Sequence, residues 1–307
     1  MGSKSYNALP MTRSVRSLML AALLPALCAC STLASSRRTP RAVTLRFAWP
    51  EHFSARVSYA FTMNSPLGNT EVHRRYWLSV APTEEEGVHR LIPHDIEVSP
   101  PQYAAMADPV PTLHFDDAGD FEGIDTPEEL PGQQMLDVLP MEPQKKAELI
   151  EKLVAVQEQS ALEYWDRLVG AWRGVTLVPG EPVRLETKMV VGTGMVEKKE
   201  VAAEERHTLE VHVPCTQDAP ERRCVRLSVE ITPVGQSEKT EGPMARWSFE
   251  LVTDPNTLVP YSTRLVRMDR VDWGEDGGAQ RLKEFLQVEE YVYTYGAQRV
   301  PPGSNPL

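Results

Sequence analysis

The chain reads as an α+β protein: a large, curved, mainly antiparallel β-sheet of about ten strands, half-barrel or sandwich-like, with one long amphipathic helix packed on it. Three observations carry that reading. Strict period-2 alternation recurs between residues 43 and 295, only one long stretch has helical spacing, and clusters of Gly, Pro, Asn and Asp separate the alternating runs. Strands and helices do not alternate along the chain, so a parallel α/β fold is not expected.

The first element is not part of that fold. Arg13 and Arg16 precede Leu18 to Ala29, a charge-free and almost wholly apolar run of 12 residues. This is the layout of an export signal, and it is too short to span a hydrocarbon core, which needs ~20 residues. Residues 1–29 are therefore expected to be a signal peptide, with Met11 a better start than Met1. Ser31 to Ala42, "STLASSRRTPRA", has no apolar period and reads as a tether. Residues 43–297 should form a single β-rich domain, with residues 298–307 a frayed tail. The alternative is two β modules, 43–140 and 175–297, joined by a helix at 143–172.

The strands follow. "RVSYAFTM" sets Val57, Tyr59, Phe61 and Met63 on one face, "TLEVHV" does so with Leu209, Val211 and Val213, and "VRLSVEI" with Val225, Leu227, Val229 and Ile231. Polar alternates describe antiparallel strands with one wet face. Similar runs cover Val43–Trp49, Arg75–Val80, Pro182–Val191, Arg246–Val252, Arg264–Trp273 and Gln280–Tyr295. "NSPLGN", "VGTGM", "TDPN" and "GEDGG" mark turns between them.

The helix is predicted over Pro143 to Trp172. Leu149, Leu153, Val156, Leu162, Trp165, Leu168, Val169 and Trp172 fall mostly three and four apart and make one stripe. Pro143 suits the first helical position, where its missing N–H costs nothing. A shorter helix is expected to start at Thr126, where Thr-Pro-Glu-Glu offers a cap and two acids, and to stop at Pro131. Trp165 and Trp172 should plug helix to sheet, or else line a cavity for a hydrophobic ligand.

Cys215 and Cys224 flank "TQDAPERR" between two clear strands, so a disulfide would close the mouth of a hairpin, worth on the order of 2 kcal/mol for so short a loop. Pairing Val211 with Leu227 and Val213 with Val225 leaves the cysteines one residue out of phase. A bulge is therefore expected, and Pro214 is a natural place for it because it cannot donate to the ladder.

No stretch carries a catalytic motif, and the protein is expected not to be an enzyme. "FDDAGDFEGI" gathers Asp116, Asp117, Asp120 and Glu122 around Gly119, but lacks the spacing of a calcium loop and reads as a tight hairpin. Gly192 and Gly194 have no third glycine and no βαβ context for a dinucleotide. Ser237 in "GQSEK" lacks the closing glycine of a nucleophile elbow. The seven histidines have no recognised ligand spacing, and neither a metal nor a cofactor is expected. "EKKEVAAEER", Glu197 to Arg206, reads as a solvated hairpin arm.

The four residues Leu27-Cys28-Ala29-Cys30, lying behind the charged and apolar regions, resemble the lipobox of bacterial lipoproteins. The resemblance implies diacylation of Cys30 and cleavage before it. With Ser31 next, it implies sorting to the outer membrane, facing the periplasm. Two acyl chains anchor stably where one is marginal. Losing Lys4, Arg13 and Arg16 with the signal takes the net charge from -11 to -14, which disfavours nucleic acid and leaves the lipid as the membrane contact. The architecture is similar to the half-barrel lipoprotein carriers, and that likeness implies a lipid or hydrophobe held in a concave sheet. The residues themselves ask for nothing more than an interaction or structural module of the envelope with a protein partner.

Overall fold

The computed structural model describes residues 41–103, 111–125, 140–191, 199–216, 223–235, 244–276 and 279–296. Its strands, numbered in chain order, begin with β1 (Val43–Thr44), β2 (Ser54–Ser65), β3 (Gly68–Pro82), β4 (Val88–Ser99), β5 (Leu113–Asp116) and β6 (Phe121–Ile124). Helix α1 (Pro143–Trp165) follows and runs into a π-helical turn, Asp166–Gly170. The second half holds β7 (Thr176–Leu177), β8 (Val183–Val191), β9 (Lys199–Pro214), β10 (Arg223–Pro233), β11 (Met244–Thr253), β12 (Pro260–Asp276) and β13 (Ala279–Thr294).

Eleven of these strands form one sheet in the order β6-β5-β4-β3-β2-β13-β12-β11-β10-β9-β8, with every ladder antiparallel, while β1 and β7 make a separate two-stranded pair. Each neighbour in the large sheet is also a neighbour in sequence except at one seam. There β2 pairs with β13, Tyr59 opposite Tyr291, so the first and last long strands meet in the middle.

The sheet curls around the end of the helix. Trp165 stacks on Phe115 of β5 at 4.7 Å, and Trp172 lies against His207 of β9 at 5.6 Å. Those strands are eight steps apart in the sheet, which would be about 38 Å if it were flat. Two residues seven apart on a helix are separated by only about 10 Å. One side of the sheet therefore wraps α1 and is called the inner face below; the other faces solvent.

Alternation decides which residues go inside. Val57, Tyr59, Leu209, Leu227, Val229, Phe249, Leu251 and Tyr293 are all buried on the inner face. They are joined by an aromatic group in which Phe47, Trp49, Phe53, Phe115 and Trp165 contact one another. The β5–β6 hairpin closes this group. Gly119 sits at its tip with φ +81°, and a Cβ there would lie 2.7 Å from the Phe47 ring, so only glycine allows both the turn and the approach. The Gly119 carbonyl accepts a hydrogen bond from Trp165 Nε1 at 3.0 Å. Arg173 donates to the Ala118 carbonyl and to the Asp120 carboxylate, clamping the same tip to the chain beyond the helix.

Four expectations need correction. The run Val43–Trp49 is a strand only at Val43–Thr44. Beyond it the Arg46 and Ala48 amides donate to the carbonyls of Pro255 and Thr257, in a turn where Pro255 has no N–H to return. The α-helix ends at Trp165 rather than Trp172. The Ala171 amide reaches back five residues to Asp166, and the Asp166 carboxylate fills the place where a Cβ on Gly170 would stand. The apolar stripe is also weaker near its start, since Val156 is 41 % exposed.

The third correction is a strand that alternation did not reveal: β4, whose "VHRLIPHDIEVS" is interrupted by Pro93 and by Asp95 at φ +53°. Its ladder with β3 shifts register between Arg75 and Trp77, so the period breaks in the middle. The fourth is the β9–β10 register. Leu227 faces Leu209 and Val225 faces Val211, two residues from the expected pairing. The bulge exists, but its extra residue is His212 at φ +63°, not Pro214. The short helix expected at Thr126 lies outside the described residues, as do Gly192, Gly194 and Ser237.

Candidate functional site

Of the residues singled out in the sequence, Cys30 lies outside the described residues. Cys215 and Cys224 are bonded, with an S–S distance of 2.05 Å and Cα atoms 5.0 Å apart, and both are buried. Trp165 and Trp172 are 0 % and 1 % exposed, which puts both in the packed core. Trp172 Nε1 donates to the Arg167 carbonyl at 2.9 Å, closing the π turn on itself.

Three of the four acids of "FDDAGDFEGI" have partners within the fold. Asp116 accepts from the Asp120 amide at 2.6 Å, Asp117 pairs with His89 at 2.6 Å, and Asp120 is held by Arg173. The expected hairpin is formed. "EKKEVAAEER" enters β9 at Lys199. It is only partly a solvated arm, because Glu200 and Glu204 pair outward with Lys188 and Arg184 while Ala203 is buried.

Two places on the sheet bring together groups that sequence reading left apart. The first is on the inner face, where α1 meets the central seam. Tyr59 and Tyr291 face each other across β2 and β13 with ring centroids 4.6 Å apart, and Tyr164 from the helix lies 5.7 Å from Tyr291. Its hydroxyl is 2.9 Å from that of Tyr293. The Arg74 guanidinium carbon of β3 sits 5.1 Å over the Tyr59 ring. Burial first, and then neighbouring phenols, pushes the hydroxyls of Tyr59, Tyr76, Tyr164 and Tyr293 above the ordinary phenol range; for Tyr291 burial is followed by Glu289. All five stay protonated in neutral water and keep a donor.

The second place is on the outer face. A hollow of about 540 Å³ crosses β9 to β13. Val266, Met268 and Leu286 lie along one side, with Met268 and Leu286 directly opposite each other in the ladder. Thr208 and Ser228, also opposite each other, supply hydroxyls at the other side. Arg206, Arg246, Arg264, Glu230 and Glu250 complete the lining.

The ion pairs there are Arg246–Glu230 and Arg264–Glu290, both at 2.9 Å and all side chains more than 40 % exposed. Exposed pairs of this kind contribute little and can be rearranged by a partner. Arg206 and Glu250 have no side-chain hydrogen bond or ion pair among the described residues, although each stands beside an opposite charge in the ladder.

A smaller hollow of about 300 Å³ lies at a strand end beside Phe53, Val259, Tyr261 and Tyr295. Neither hollow is lined by Trp165 or Trp172. Among the described residues, no helix is long and apolar enough to cross a membrane, and no group of three or more His, Cys, Asp and Glu is placed to hold a metal ion. No protein-family model matches the chain, and no curated protein matches it in sequence.

Proposed function

We propose that the protein is a non-catalytic lipoprotein of the bacterial cell envelope, anchored through Cys30 at the outer membrane and facing the periplasm, and that it works as an interaction module whose outer sheet face receives a partner protein. The observation that carries the interaction reading is the hollow across β9 to β13. It combines an apolar strip at Val266, Met268 and Leu286 with an uncommitted cation, Arg206, and an uncommitted anion, Glu250. Partly apolar surface rimmed by charge is what a specific protein contact needs. The anchor rests on Leu27-Cys28-Ala29-Cys30 behind Arg13, Arg16 and an apolar run.

Two experiments test this. Placing a photo-reactive side chain at Met268 or Leu286 in the living cell should give one discrete adduct, which is lost when Arg206 and Glu250 are exchanged for each other. Adducts equally frequent from Val156 on the helix would sink the docking face. Cys30→Ser should release the protein from the membrane fraction and abolish labelling by palmitate; retention with label would refute the anchor.

A second reading, carriage of a lipid or other hydrophobe, is favoured by the curling of the sheet around α1. Native mass spectrometry of the full chain, with solvent extraction of what co-purifies, separates the two. A stoichiometric lipid adduct beyond the anchor would establish the carrier, and its absence is expected here.

A further inference from the structure

We propose that β8 is a dimerisation edge, pairing antiparallel with β8 of a second copy of this chain about a twofold axis at Thr187. The inference is independent of the outer hollow.

Of the two edges of the large sheet, one is short and covered: β6 has four residues, and α1 packs against it. The other is β8, nine residues from Val183 to Val191, which pairs only with β9. Among the described residues, no backbone group of β8 bonds to anything beyond that ladder. A strand of this length leaves a row of amides and carbonyls open to another strand. The usual defences are missing too. The β8–β9 ladder runs from Val183 opposite His207 to Val191 opposite Lys199 without a bulge, and Pro182 stands before the strand, not in it.

The sequence of the edge selects its occupant. Set against its own reverse about Thr187, "VRLETKMVV" brings Val183 opposite Val191, Leu185 opposite Met189 and Glu186 opposite Lys188, with Thr187 on Thr187. Val183, Leu185, Thr187, Met189 and Val191 share one face. There Met189 is buried with Ala203 and Ala245 in a small cluster apart from the main core. The cluster stops at the edge, where Val183 is 39 % exposed, and a second β8 continues it by setting Leu185 beside Met189.

The opposite face supplies the charge argument. Glu186 lies directly across from Glu204 of β9, a like-charge pair, and Glu204 is already taken by Arg184. The Glu186 carboxylate has no ion pair or hydrogen bond among the described residues. Lys188 of the second copy supplies the missing cation, twice over by symmetry, on the strand that also carries its own partner pairing with Glu200. An edge defended against its own copy would carry one sign of charge; this one carries opposite signs at positions that meet.

Cross-linking and sedimentation of the full-length protein test the register. Residues facing each other in an antiparallel ladder have Cα atoms about 4.5–5.5 Å apart, within the span of a disulfide. Thr187→Cys should therefore give a disulfide-linked dimer under mild oxidation, whereas the unchanged chain and Val156→Cys on the helix should not. In sedimentation velocity the unchanged chain should form a dimer, and Glu186→Lys should weaken it by about tenfold or more by bringing lysines together at two places. That variant sets an opposite charge beside Glu204, so its melting temperature should hold or rise, which separates a lost dimer from a lost fold. A monomer at every soluble concentration overturns the proposal, as does a dimer that Thr187→Cys fails to cross-link or that Glu186→Lys leaves unchanged. Coupling of Thr187→Cys to a different protein in place of its own copy would also overturn it, and would identify a foreign strand as the occupant.

Discussion

The two faces of the one large sheet are built on opposite plans. On the inner face the chain spends its aromatic residues: Trp165, Phe115, Phe47, Trp49 and Phe53 touch one another, and the tyrosines of the seam meet the helix. On the outer face neighbouring strands exchange ion pairs, Arg184–Glu204, Arg226–Glu210, Arg246–Glu230 and Arg264–Glu290. Removal from water, not the number of contacts, makes the difference in strength. Inner-face groups have nowhere else to go, whereas each outer-face charge can exchange its partner for water at little cost. The inner face should therefore set stability, and substitutions on the outer face should cost the fold little.

The largest effect that would break this contrast is alkaline. Five phenols are held above their ordinary value of 10 by burial, so the unfolded chain gives up those protons first. A group whose folded value is raised contributes stability that is present below the unfolded value and lost as pH climbs past it. The expected loss above pH 10 is about 1.4 kcal/mol per pH unit for each phenol still protonated in the fold. Ultraviolet titration should show tyrosinate appearing together with unfolding, and smooth ionisation of all tyrosines in a folded protein would contradict it.

Next in size is Trp165→Ala, which empties the centre of the aromatic group and strands the Gly119 carbonyl; denaturant unfolding should show a loss of about 4 kcal/mol. Gly119→Ala combines a left-handed φ with a clash against Phe47 and should cost about 2–3 kcal/mol by the same measurement. At the small end, Arg246→Ala on the outer face should change stability by less than about 1 kcal/mol. A larger loss there would show that the ion-pair ladder is structural.

Both plans were legible in sequence to different depths. Alternation in "RVSYAFTM" and "VRLSVEI" separates inner from outer residues because each strand has one wet face. The Gly119 hairpin and the disulfide were equally visible, since short local turns carry their own chemistry. What was lost was lost for physical reasons. In β4, a proline and a bulge erase the period. The β9–β10 register moved because His212, an ordinary residue in sequence, takes the left-handed backbone that absorbs the bulge. The tyrosine cluster at the seam was out of reach altogether, because Tyr59, Tyr164 and Tyr291 come from three elements spread over most of the chain.

The seam between β2 and β13 has a kinetic consequence. Each flank can zip outward by hairpins between sequence neighbours, but the two flanks join only when Tyr59 finds Tyr291, near the end of the chain. Contacts so remote in sequence form slowly, since the closure of a long loop must precede any gain from them. A nascent chain that has not yet made β13 cannot complete its central ladder, so the flank built from the first strands waits, with the β2 edge unpaired, until the last long strand has been synthesised.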